Sequence, residues 1–510
     1  KSLPSILHSL QMIGALLIVA ALAIYLYTYY ENSRQYWSRK KVPGPPSQLL
    51  TGNLKELWYT ETPRVLVLRD WTKKYGKVYG MHEGQRKILV VSDLDMLNEI
   101  LVKKFDNFQS RMRFPLQRPD EGSKTHIIEA SGARWKRLRT LGTFGFTNKA
   151  LKQMRDTVEE SSLLVVRNLE MKMDKGEINI LEYFQEYTMD IICKIALGQK
   201  DVEMFNNKYL QICKDVFMSP INNVLNVIPS AFPFIQTPLF NFIEFAGKHL
   251  KIPFVELMLD LERSVAERKK QREAGQESSS ADFIDIYLDA EIDEGENGDV
   301  GGSRRLVFDE IVSQCMVMLL AGFETTSNSL SYLTHFLANH PDVQEKLREE
   351  IDRECLGESV EYDSLVNLKY TEAVIRESLR HYPLASFVVN RECVKATEVC
   401  GYKLEEGDMI MTDTWSLHMD KEVWGEDVEE FRPERWLEES SRPRVAFQSF
   451  GEGPRMCIGM RLAYMEEKIV LAHLMKNFFI RKSENTNPLR LVGPLTVSPE
   501  RVMVRLERRL

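Results

Sequence analysis

Several familiar site patterns are missing from this chain of 510 residues. Its seven cysteines include no C-x-x-C pair, and its nine histidines show no H-E-x-x-H spacing. A disulfide framework, a zinc ribbon and a zinc-protease helix are therefore not expected. The net charge of −7 argues against a nucleic-acid partner. The absence of an Asn-x-Ser/Thr sequon is compatible with a domain on the cytosolic side of a membrane.

Charged residues are also absent from residues 2–30, where residues 12–26 form an apolar block. Roughly 20 apolar residues suffice to cross a bilayer. A cleaved signal peptide is the alternative, but the small-x-small motif Ala21-Leu22-Ala23 lies inside the apolar run rather than after it. The basic residues that follow the run place the downstream chain on the cytosolic side. The sequence therefore predicts a single-pass membrane anchor.

Residues 31–46 differ from the regions on either side, because a basic cluster is followed by the run Pro-Gly-Pro-Pro at residues 43–46. Proline fixes φ and disfavours helix, so this stretch is predicted to be an elbow. No obvious linker interrupts the remainder of the chain. Three parts are therefore predicted: an anchor at 1–30, the elbow, and one catalytic domain at 47–510.

The hydrophobic periodicity predicts a mainly α-helical domain with small β-sheets. Residues 77–82 and 87–92 are typical of two strands, and residues 133–289 follow helical periodicity. Asp309 is expected to cap a long helix that ends near His340. The centre of this helix is apolar on all sides, so the helix is expected to be buried.

Residues 221–254 interleave aromatic residues with four prolines, at positions 229, 233, 238 and 253. The prolines exclude one long helix. The aromatic side chains belong either to the buried core or to short helices that dip into the membrane interface. The anchor already holds the domain at a membrane, which favours the second interpretation.

The most specific pattern surrounds Cys457, in the stretch F-G-E-G-P-R-M-C-I-G from Phe450 to Gly459. Its glycines allow sharp turns and the close approach of a flat ligand. Cys457 precedes a helix, and the amides and dipole of a helix N-terminus favour thiolate over thiol. A phosphate loop is disfavoured because Met456 stands where a dinucleotide motif has glycine. A nucleophilic cysteine is disfavoured because no histidine or asparagine partner is suggested nearby.

This stretch resembles the haem-binding loop of the cytochromes P450, and the likeness covers essentially the whole chain. The resemblance implies a mainly α fold with small β-sheets, a transmembrane helix and haem-thiolate monooxygenase activity. It makes Cys457 the ligand of the iron in haem b. It also implies that further residues hold the haem and its propionates: Trp135, Arg139, Arg391, Arg455, Phe450, Gly453 and Gly459, with Arg111 as another candidate.

Two further motifs extend the resemblance to the structural core. Glu377-Ser-Leu-Arg380 is similar to the family's E-x-x-R helix, and the later stretch F-R-P-E-R-W contains Arg435. The resemblance implies that these three residues form a buried ion network that is structural rather than catalytic. An i,i+3 pair of Glu and Arg alone would more often be a solvated helix face.

The stretch A-G-F-E-T-T lies in the middle of the long helix and contains Gly322, Glu324 and Thr325. The missing side chain of Gly322 and the hydroxyl of Thr325 are expected to open a groove for dioxygen. The resemblance implies that Thr325 and Glu324 deliver protons to bound oxygen. Haem-thiolate isomerases often lack this pair, so its presence favours monooxygenation. A reductase-independent isomerase and a non-catalytic haem sensor are the alternatives.

The chain shows no flavin or nicotinamide motif, so its electrons must come from outside. The resemblance implies NADPH as their source through a diflavin reductase, with cytochrome b5 as a further partner. It places the protein in the endoplasmic reticulum membrane, in contact with lipid. Basic residues near the Cys457 loop are expected to form the docking face: Arg134, Lys136, Arg137, Arg442 and Arg444.

The expected reaction inserts one oxygen atom of O2 into an apolar organic substrate, such as a xenobiotic, a steroid or a lipid. The resemblance implies which residues line the substrate pocket: Ile127, Ile128, Leu320, Ala321, Thr325, Ala385, Ser386, Phe387, Leu495 and Thr496. Most of these side chains are apolar, in keeping with an apolar substrate.

Overall fold

The computed structural model describes residues 3–57, 62–115, 122–199, 203–218, 224–250, 252–275, 282–290, 306–494 and 496–509. Helices predominate, and their bounds are α1 Leu3–Arg34, α2 Tyr36–Arg39, α3 Leu54–Leu57, α4 Arg64–Tyr75, α5 Leu94–Asn98, α6 Gly132–Thr143, α7 Asn148–Glu170, α8 Ile180–Leu197, α9 Lys208–Met218, α10 Val224–Ala231, α11 Gln236–Leu250, α12 Pro253–Glu273, α13 Phe283–Leu288, α14 Phe308–Asn339, α15 Pro341–Glu354, α16 Lys369–His381, α17 Thr414–His418, α18 Lys421–Trp424 and α19 Met460–Asn477.

The strands are short and are listed here in chain order: β1 Val78–Glu83, β2 Arg86–Val91, β3 Glu177–Asn179, β4 Asn390–Glu392, β5 Thr397–Val399, β6 Tyr402–Leu404, β7 Met409–Thr412, β8 Phe478–Lys482, β9 Leu491–Val492, β10 Ser498–Pro499 and β11 Met503–Arg508. β2 pairs antiparallel with β1 and parallel with β7, and β4 completes this sheet. β11 pairs with β3 and β8. The strands predicted at 77–82 and 87–92 correspond to β1 and β2.

Local sequence signals set several helix boundaries. The side chains of Asp93, Thr147 and Asp413 accept hydrogen bonds from backbone N–H groups in the first turns of α5, α7 and α17. Pro253 and Pro341 occupy the first positions of α12 and α15, where a missing N–H leaves no helix hydrogen bond unmade. These boundaries are therefore encoded within a few residues of sequence.

The start of α14 differs from the sequence prediction. The helix begins at Phe308, so Asp309 lies inside its first turn and does not cap it. The Asp309 carboxylate instead accepts a hydrogen bond from Ser123 Oγ over 2.7 Å. The backbone N–H of Val307 donates to the Glu310 carboxylate over 3.3 Å. The Glu310 side chain thus satisfies a backbone donor at the start of α14, where the side chain of Val307 has no polar atom with which to cap the helix.

Helix α14 lies in the core and contacts α8, α12, α16 and α19. Most of its side chains are buried, and α8 is buried along most of its length as well. Each large apolar side chain that leaves water contributes about 1.5–3 kcal/mol. The pair α8–α14 is thus the well-packed part of the fold on which the candidate site is built.

Helix α1 is long and apolar enough to cross a membrane over Leu10–Arg34, and its apolar window is not buried against the described protein. The helix continues through the first residues of the predicted elbow at 31–46. Tyr30 connects it to the globular part, because its hydroxyl donates to the Ala231 carbonyl oxygen over 3.0 Å. This arrangement is compatible with a membrane anchor.

The proline-rich region 221–254 is broken into α10, a 3-10 turn at Pro233–Ile235, and α11, as its prolines predict. Residues 221–223 and 251 lie outside the described residues. Three aromatic side chains expose 71%, 62% and 80% of their area to solvent: Phe234, Phe242 and Phe245. The alternative that these aromatics belong to the buried core is wrong for these three.

Candidate functional site

The loop before Cys457 is held in a compact turn by its own backbone. The Cys457 N–H donates to the Phe450 carbonyl oxygen over 2.8 Å, and the Met456 N–H donates to the Gly453 carbonyl oxygen over 3.0 Å. Gly453 has a φ of 74°, and a Cβ there would collide with the carbonyl oxygen of Leu101. Glycine is therefore required at this position by both conformation and space.

The Cys457 side chain is exposed by accessible area, although burial raises its pKa above the ordinary thiol value. Accessible area and burial are compatible here if the sulfur faces an internal space that is lined by protein. Backbone N–H groups of Gly459 and Met460 and the charges of Arg139 and Arg111 oppose the effect of burial. The N–H groups at the start of α19 thus act in the direction that the sequence predicts, although burial has the larger effect. A metal cation at the sulfur would supply the missing stabilisation.

Three guanidinium groups influence one another or the sulfur: Arg139 and Arg111 act on Cys457, and Arg111 acts on Arg391. Burial lowers the pKa of Arg391 to about 9 and that of Arg111 to about 10, and the charge of Arg111 adds to the effect on Arg391. Burial also lowers the pKa of Arg139. The Nε atoms of Arg391 and Arg111 are buried and have no hydrogen-bond partner. Within the described residues, no carboxylate forms an ion pair with any of the three.

These features fit the haem that the sequence implies. A planar group that carries two propionates would bring the acceptors that the arginine cluster lacks. Cys457 would hold its iron, and the arginines would hold its propionates. The chemistry of this donor set therefore agrees with haem and its propionates, with Arg111 joining Arg139 and Arg391.

Arg455 has other partners than the propionate that the sequence suggests. Its guanidinium donates to the carbonyl oxygens of Gln109, Ile127 and Ala130, the first over 2.8 Å. It also lies over the ring of Trp135, with 4.5 Å from Cζ to the ring centroid. Arg455 thus fastens the loop before α6 to the Cys457 loop and orients Trp135.

The middle of α14 is the part of this buried helix that faces an internal space. Ala321 is exposed and Thr325 is partly exposed, one turn apart, whereas the helix on both sides is buried. Thr325 Oγ1 donates to the Ala321 carbonyl oxygen over 2.6 Å. The two residues therefore share one face of the helix, and the hydroxyl of Thr325 is available on that face.

Gly322 does not open the groove that the sequence suggested. A Cβ at this position would lie 2.6 Å from Cδ1 of Ile192, on the neighbouring helix α8. The missing side chain serves the close packing of α8 against α14. Thr188 of α8 then donates to the Phe323 carbonyl oxygen over 2.9 Å, which fixes the two helices together.

The side chain of Glu324 contacts a different group of residues from those that surround the side chain of Thr325. Its Oε1 accepts a hydrogen bond from Ser498 Oγ over 2.8 Å, and its Oε2 is buried without a partner. Burial raises the pKa of Glu324 to about 7, despite hydrogen bonds from Ser498, Thr496 and Asn328. The carboxyl can therefore gain or lose a proton near neutral pH. No local motif points to Ser498, because this contact spans 174 positions of the chain.

Glu377, Arg380 and Arg435 meet in the core, where all three are fully buried. Glu377 Oε1 lies 2.8 Å from Arg380 Nη2 and 2.9 Å from Arg435 Nε. Its Oε2 accepts from Arg380 Nε over 3.0 Å and from Trp436 Nε1 over 2.9 Å. Burial alone would raise the pKa of Glu377, but His381, Arg380 and Arg435 hold it well below its usual range.

The buried residue His418, which sequence reasoning missed, joins this network to the Cys457 loop. Its Nδ1 lies 3.1 Å from the Arg380 carbonyl oxygen, and its Nε2 accepts from the Gln448 N–H over 2.9 Å. A second link runs from Ser449 Oγ to the Leu379 carbonyl oxygen over 2.9 Å. Burial lowers the pKa of His418 to about 3, so the ring is neutral and can both donate and accept.

One predicted pocket residue, Leu495, lies outside the described residues. The others fall into three groups. Thr496 Oγ1 lies 3.2 Å from Ser498 Oγ and so belongs to the surroundings of Glu324. On α14, Leu320 is half-buried next to the exposed Ala321. The others are buried or half-buried in the segments before α6 and after α16: Ile127, Ile128, Ala385, Ser386 and Phe387.

The predicted docking face is smaller than the sequence suggested. Lys136 and Arg444 are exposed, and the side chain of Arg444 shows 83% of its area. Arg137 is buried and donates to both carboxylate oxygens of Glu310, over 2.9 and 2.6 Å, so its assignment to a surface is wrong. Two others are half-buried and donate to backbone carbonyl groups: Arg134 and Arg442.

Comparison with known proteins adds an independent observation. A family model described as Cytochrome P450 matches residues 42–505. A Caenorhabditis elegans protein named cytochrome P450 CYP13A3 is 44% identical over 521 residues, which cover 97% of this chain and 99% of the relative. CYP13A2 of the same organism is 44% identical over 501 residues, covering 95% of this chain and 96% of the relative. Both alignments include the arginine cluster and the Cys457 loop.

Proposed function

The chain belongs to the cytochrome P450 family and is a haem-thiolate monooxygenase, and we propose that it inserts one atom of O2 into an apolar organic substrate with electrons that a diflavin reductase takes from NADPH. Haem bound through a thiolate supplies the oxygen-activating chemistry, because the thiolate donates electron density that favours O–O cleavage. The observation that carries the proposal is Cys457, a sulfur that faces an internal space beside three arginines that have no carboxylate partner among the described residues.

Each part of the site has a role in this proposal. Cys457 would bind the iron, and Arg111, Arg139 and Arg391 would hold the propionates. Thr325 presents its hydroxyl on the exposed face of α14 and holds a proton there. Glu324 stores a proton behind the helix, because its pKa of about 7 allows both states at neutral pH. The apolar residues around Ala321 exclude water from the substrate.

The proposed location is the endoplasmic reticulum membrane, with the catalytic domain on the cytosolic side. The apolar window of α1 supports this proposal, as do the basic residues that follow it. The exposed phenylalanines of α11 support a second contact with lipid, since α10 is tied to the anchor through Tyr30. Lys136 and Arg444 are the exposed residues that remain for an acidic reductase or cytochrome b5.

A Cys457→Ser variant tests the ligand. We expect the wild-type protein to give the optical spectrum of a thiolate-bound ferrous carbonyl complex and the variant to lose it. Cys400→Ser is the matched control, since Cys400 is also exposed but lies in the turn between β5 and β6. A thiolate spectrum that survives in Cys457→Ser would remove the basis of the proposal. Product formation that needs no reductase would instead point to a haem-thiolate isomerase.

A further inference from the structure

Ser498 lies at the centre of the polar group that surrounds the Glu324 carboxyl. Its Oγ donates to Glu324 Oε1 over 2.8 Å, accepts from Asn328 Nδ2 over 2.8 Å and lies 3.2 Å from Thr496 Oγ1. A serine hydroxyl has one hydrogen to donate and two lone pairs that accept. Glu324 takes the hydrogen and Asn328 occupies one lone pair, so Thr496 donates to the other. The hydrogen-bonding capacity of Ser498 is thus fully used, and its donor is directed at Glu324.

The backbone beside Ser498 is held by contacts that do not involve Glu324. The Val497 carbonyl oxygen accepts from Tyr332 Oη over 3.0 Å, and the Val497 N–H donates to the Leu384 carbonyl oxygen over 2.9 Å. Tyr332 lies on α14, and Leu384 lies in the segment after α16. Ser498 itself is buried. Its hydroxyl is therefore a donor with a fixed position, as a residue that orients another side chain requires.

Two acceptor atoms in this group have no donor among the described residues. They are Glu324 Oε2 and Asn328 Oδ1, and both are buried, which makes an unmatched acceptor costly. Residues four positions apart in a helix lie on the same face, so the two side chains are neighbours. A proton on Oε2 converts one of the two acceptors into a donor, whereas Oε1 already accepts from Ser498. The contacts thus favour Oε2 as the oxygen that carries the proton.

The negative charge of an ionised Glu324 has only neutral donors to stabilise it. Burial raises the pKa of this carboxyl to about 7, and the largest opposing effect is the hydrogen bond from Ser498. Cys213 of α9 and Tyr332 of α14 also interact with Glu324, but burial raises the pKa of both, so they are neutral near pH 7. Within the described part of the chain, no charged side chain has a comparable effect on Glu324. The hydrogen bond from Ser498 therefore has a direct influence on whether Glu324 holds its proton.

We propose that Ser498 is a positioning residue that fixes the direction of the Glu324 carboxyl and, together with Asn328, keeps the transferable proton on Oε2. This role rests on the proposed function, in which Glu324 stores a proton, and it adds the residues that regulate that store. When the proton leaves Oε2, Glu324 becomes a carboxylate that the hydrogen bond from Ser498 stabilises, and a proton from water restores the acid. Without this hydrogen bond the carboxyl holds its proton to higher pH. Strand β10 thus sets the pH range over which Glu324 can release a proton.

Infrared spectroscopy of the haem-loaded protein without turnover tests this role through the C=O band of the protonated carboxyl. Each protein is compared with the same protein carrying Glu324→Gln, so that the difference contains the band of Glu324 alone. The buried carboxyls of Glu466 and Glu467, whose pKa burial also raises, are present in both members of each pair and cancel. We expect Ser498→Ala to raise the pH midpoint of the Glu324 band by about one unit, which is a tenfold increase in proton affinity.

Three further variants separate the hydrogen bond from a general effect on packing. Ser498→Thr keeps the hydroxyl and should return the midpoint toward the wild-type value. Asn328→Ala removes another hydrogen bond of the group and should also raise the midpoint, so the test does not depend on one variant that folds poorly. Ser331→Ala is the matched control, because Ser331 is a buried serine of α14 whose hydroxyl donates to the Ser327 carbonyl oxygen over 2.7 Å. Its loss should leave the midpoint of Glu324 unchanged.

Turnover provides a second readout. The protonated carboxyl is the form that supplies a proton, so the ratio of product to NADPH consumed should fall as pH rises through the midpoint. In Ser498→Ala this fall should move to higher pH by the same shift of about one unit. An infrared midpoint that Ser498→Ala leaves unchanged, or that Ser498→Thr or Ser331→Ala raises equally, would overturn the role of Ser498 and leave the monooxygenase assignment standing. Absence of reductase-dependent product from a protein with the thiolate spectrum would instead contradict the proposed function, whatever the infrared result.

Discussion

Glu377 and Glu324 are both buried carboxyl groups, and their surroundings give them opposite protonation. Glu377 accepts hydrogen bonds from two arginines and a tryptophan, which hold its pKa far below the ordinary value. Glu324 receives only weak neutral donors, and burial raises its pKa to about 7. One group is a fixed charge suited to a structural role, and the other can change its protonation state near neutral pH.

Replacement of Glu377 by Gln is expected to destabilise the protein by about 3–5 kcal/mol, because Arg380 and Arg435 would be buried without their countercharge. The lowered pKa of Glu377 contributes stability that is present above its unfolded pKa and is lost as pH falls through the folded pKa. Thermal unfolding with haem release as a second readout would measure the change.

The control for this change is Glu438→Gln, since Glu438 pairs with Arg432 at 2.6 Å on the surface. An exposed ion pair contributes about 0–1 kcal/mol, so this variant should unfold near the wild-type temperature. Equal losses in the two variants would argue against a special role for the buried network.

Glu324→Gln provides a test of pH dependence. A carboxyl whose pKa is raised contributes stability that is present below its unfolded pKa and is lost as pH rises through the folded pKa of about 7. Glutamine does not titrate, so the variant does not lose this stability as pH rises. The free energy of unfolding of the variant minus that of the wild type should therefore increase by about 3 kcal/mol between pH 5 and pH 8. Denaturant unfolding across that range checks the slope. A pH-independent difference would mean that Glu324 is not protonated in the folded protein.

Helices α8 and α14 show how two elements constrain each other. Gly322 has no side chain, and Ile192 of α8 occupies the space that a Cβ would need. Thr188 adds a hydrogen bond to the backbone of Phe323 across the same contact. The position of Ala321 and Thr325 in the internal space therefore depends on how closely α8 approaches.

Gly322→Val is expected to cost about 1–3 kcal/mol through overpacking against Ile192. Ile192→Ala should recover part of this loss in the double variant, although it is destabilising by itself. A thermodynamic cycle of the four proteins measures the coupling between the two positions. Additive effects would show that the valine is accommodated elsewhere.

At the scale of the whole molecule, the described residues carry two exposed apolar surfaces, helix α1 and the phenylalanines of α11. Tyr30 and Ala231 connect the two regions, so both can face the same lipid surface.

A protein that lacks residues 3–28 is expected to bind neutral lipid vesicles more weakly but not to lose binding completely. Phe242→Ser with Phe245→Ser in this shortened chain should remove most of the remainder, since these side chains are 62% and 80% exposed. Leu356→Ser is the control, because Leu356 is 87% exposed and follows the end of α15, away from α11 in the sequence. Vesicle flotation measures the bound fraction. No effect of the phenylalanine changes would contradict a second lipid contact.

Much of this architecture was predictable from local sequence. The apolar anchor, the strands β1 and β2, the breaks at prolines and the buried character of α14 follow from periodicity and backbone constraints that act within a few residues. The Cys457 loop was recognisable for a similar reason, since its turns require glycine at fixed spacings. Glu377, Arg380 and Arg435 were identified through family resemblance, because a solvated helix face would show the same i,i+3 pattern.

Other features depend on which distant segments pack together. Arg455 and Arg137 are arginines like those proposed to hold the propionates. Arg455 nevertheless donates to backbone carbonyl groups, and Arg137 donates to Glu310. Asp309, Gly322 and His418 likewise obtain their roles from neighbours far along the chain. Residue type sets what a side chain can do, whereas burial and contacts across long sequence separations decide which partner it meets. Local rules describe the first property, and only the packed chain settles the second.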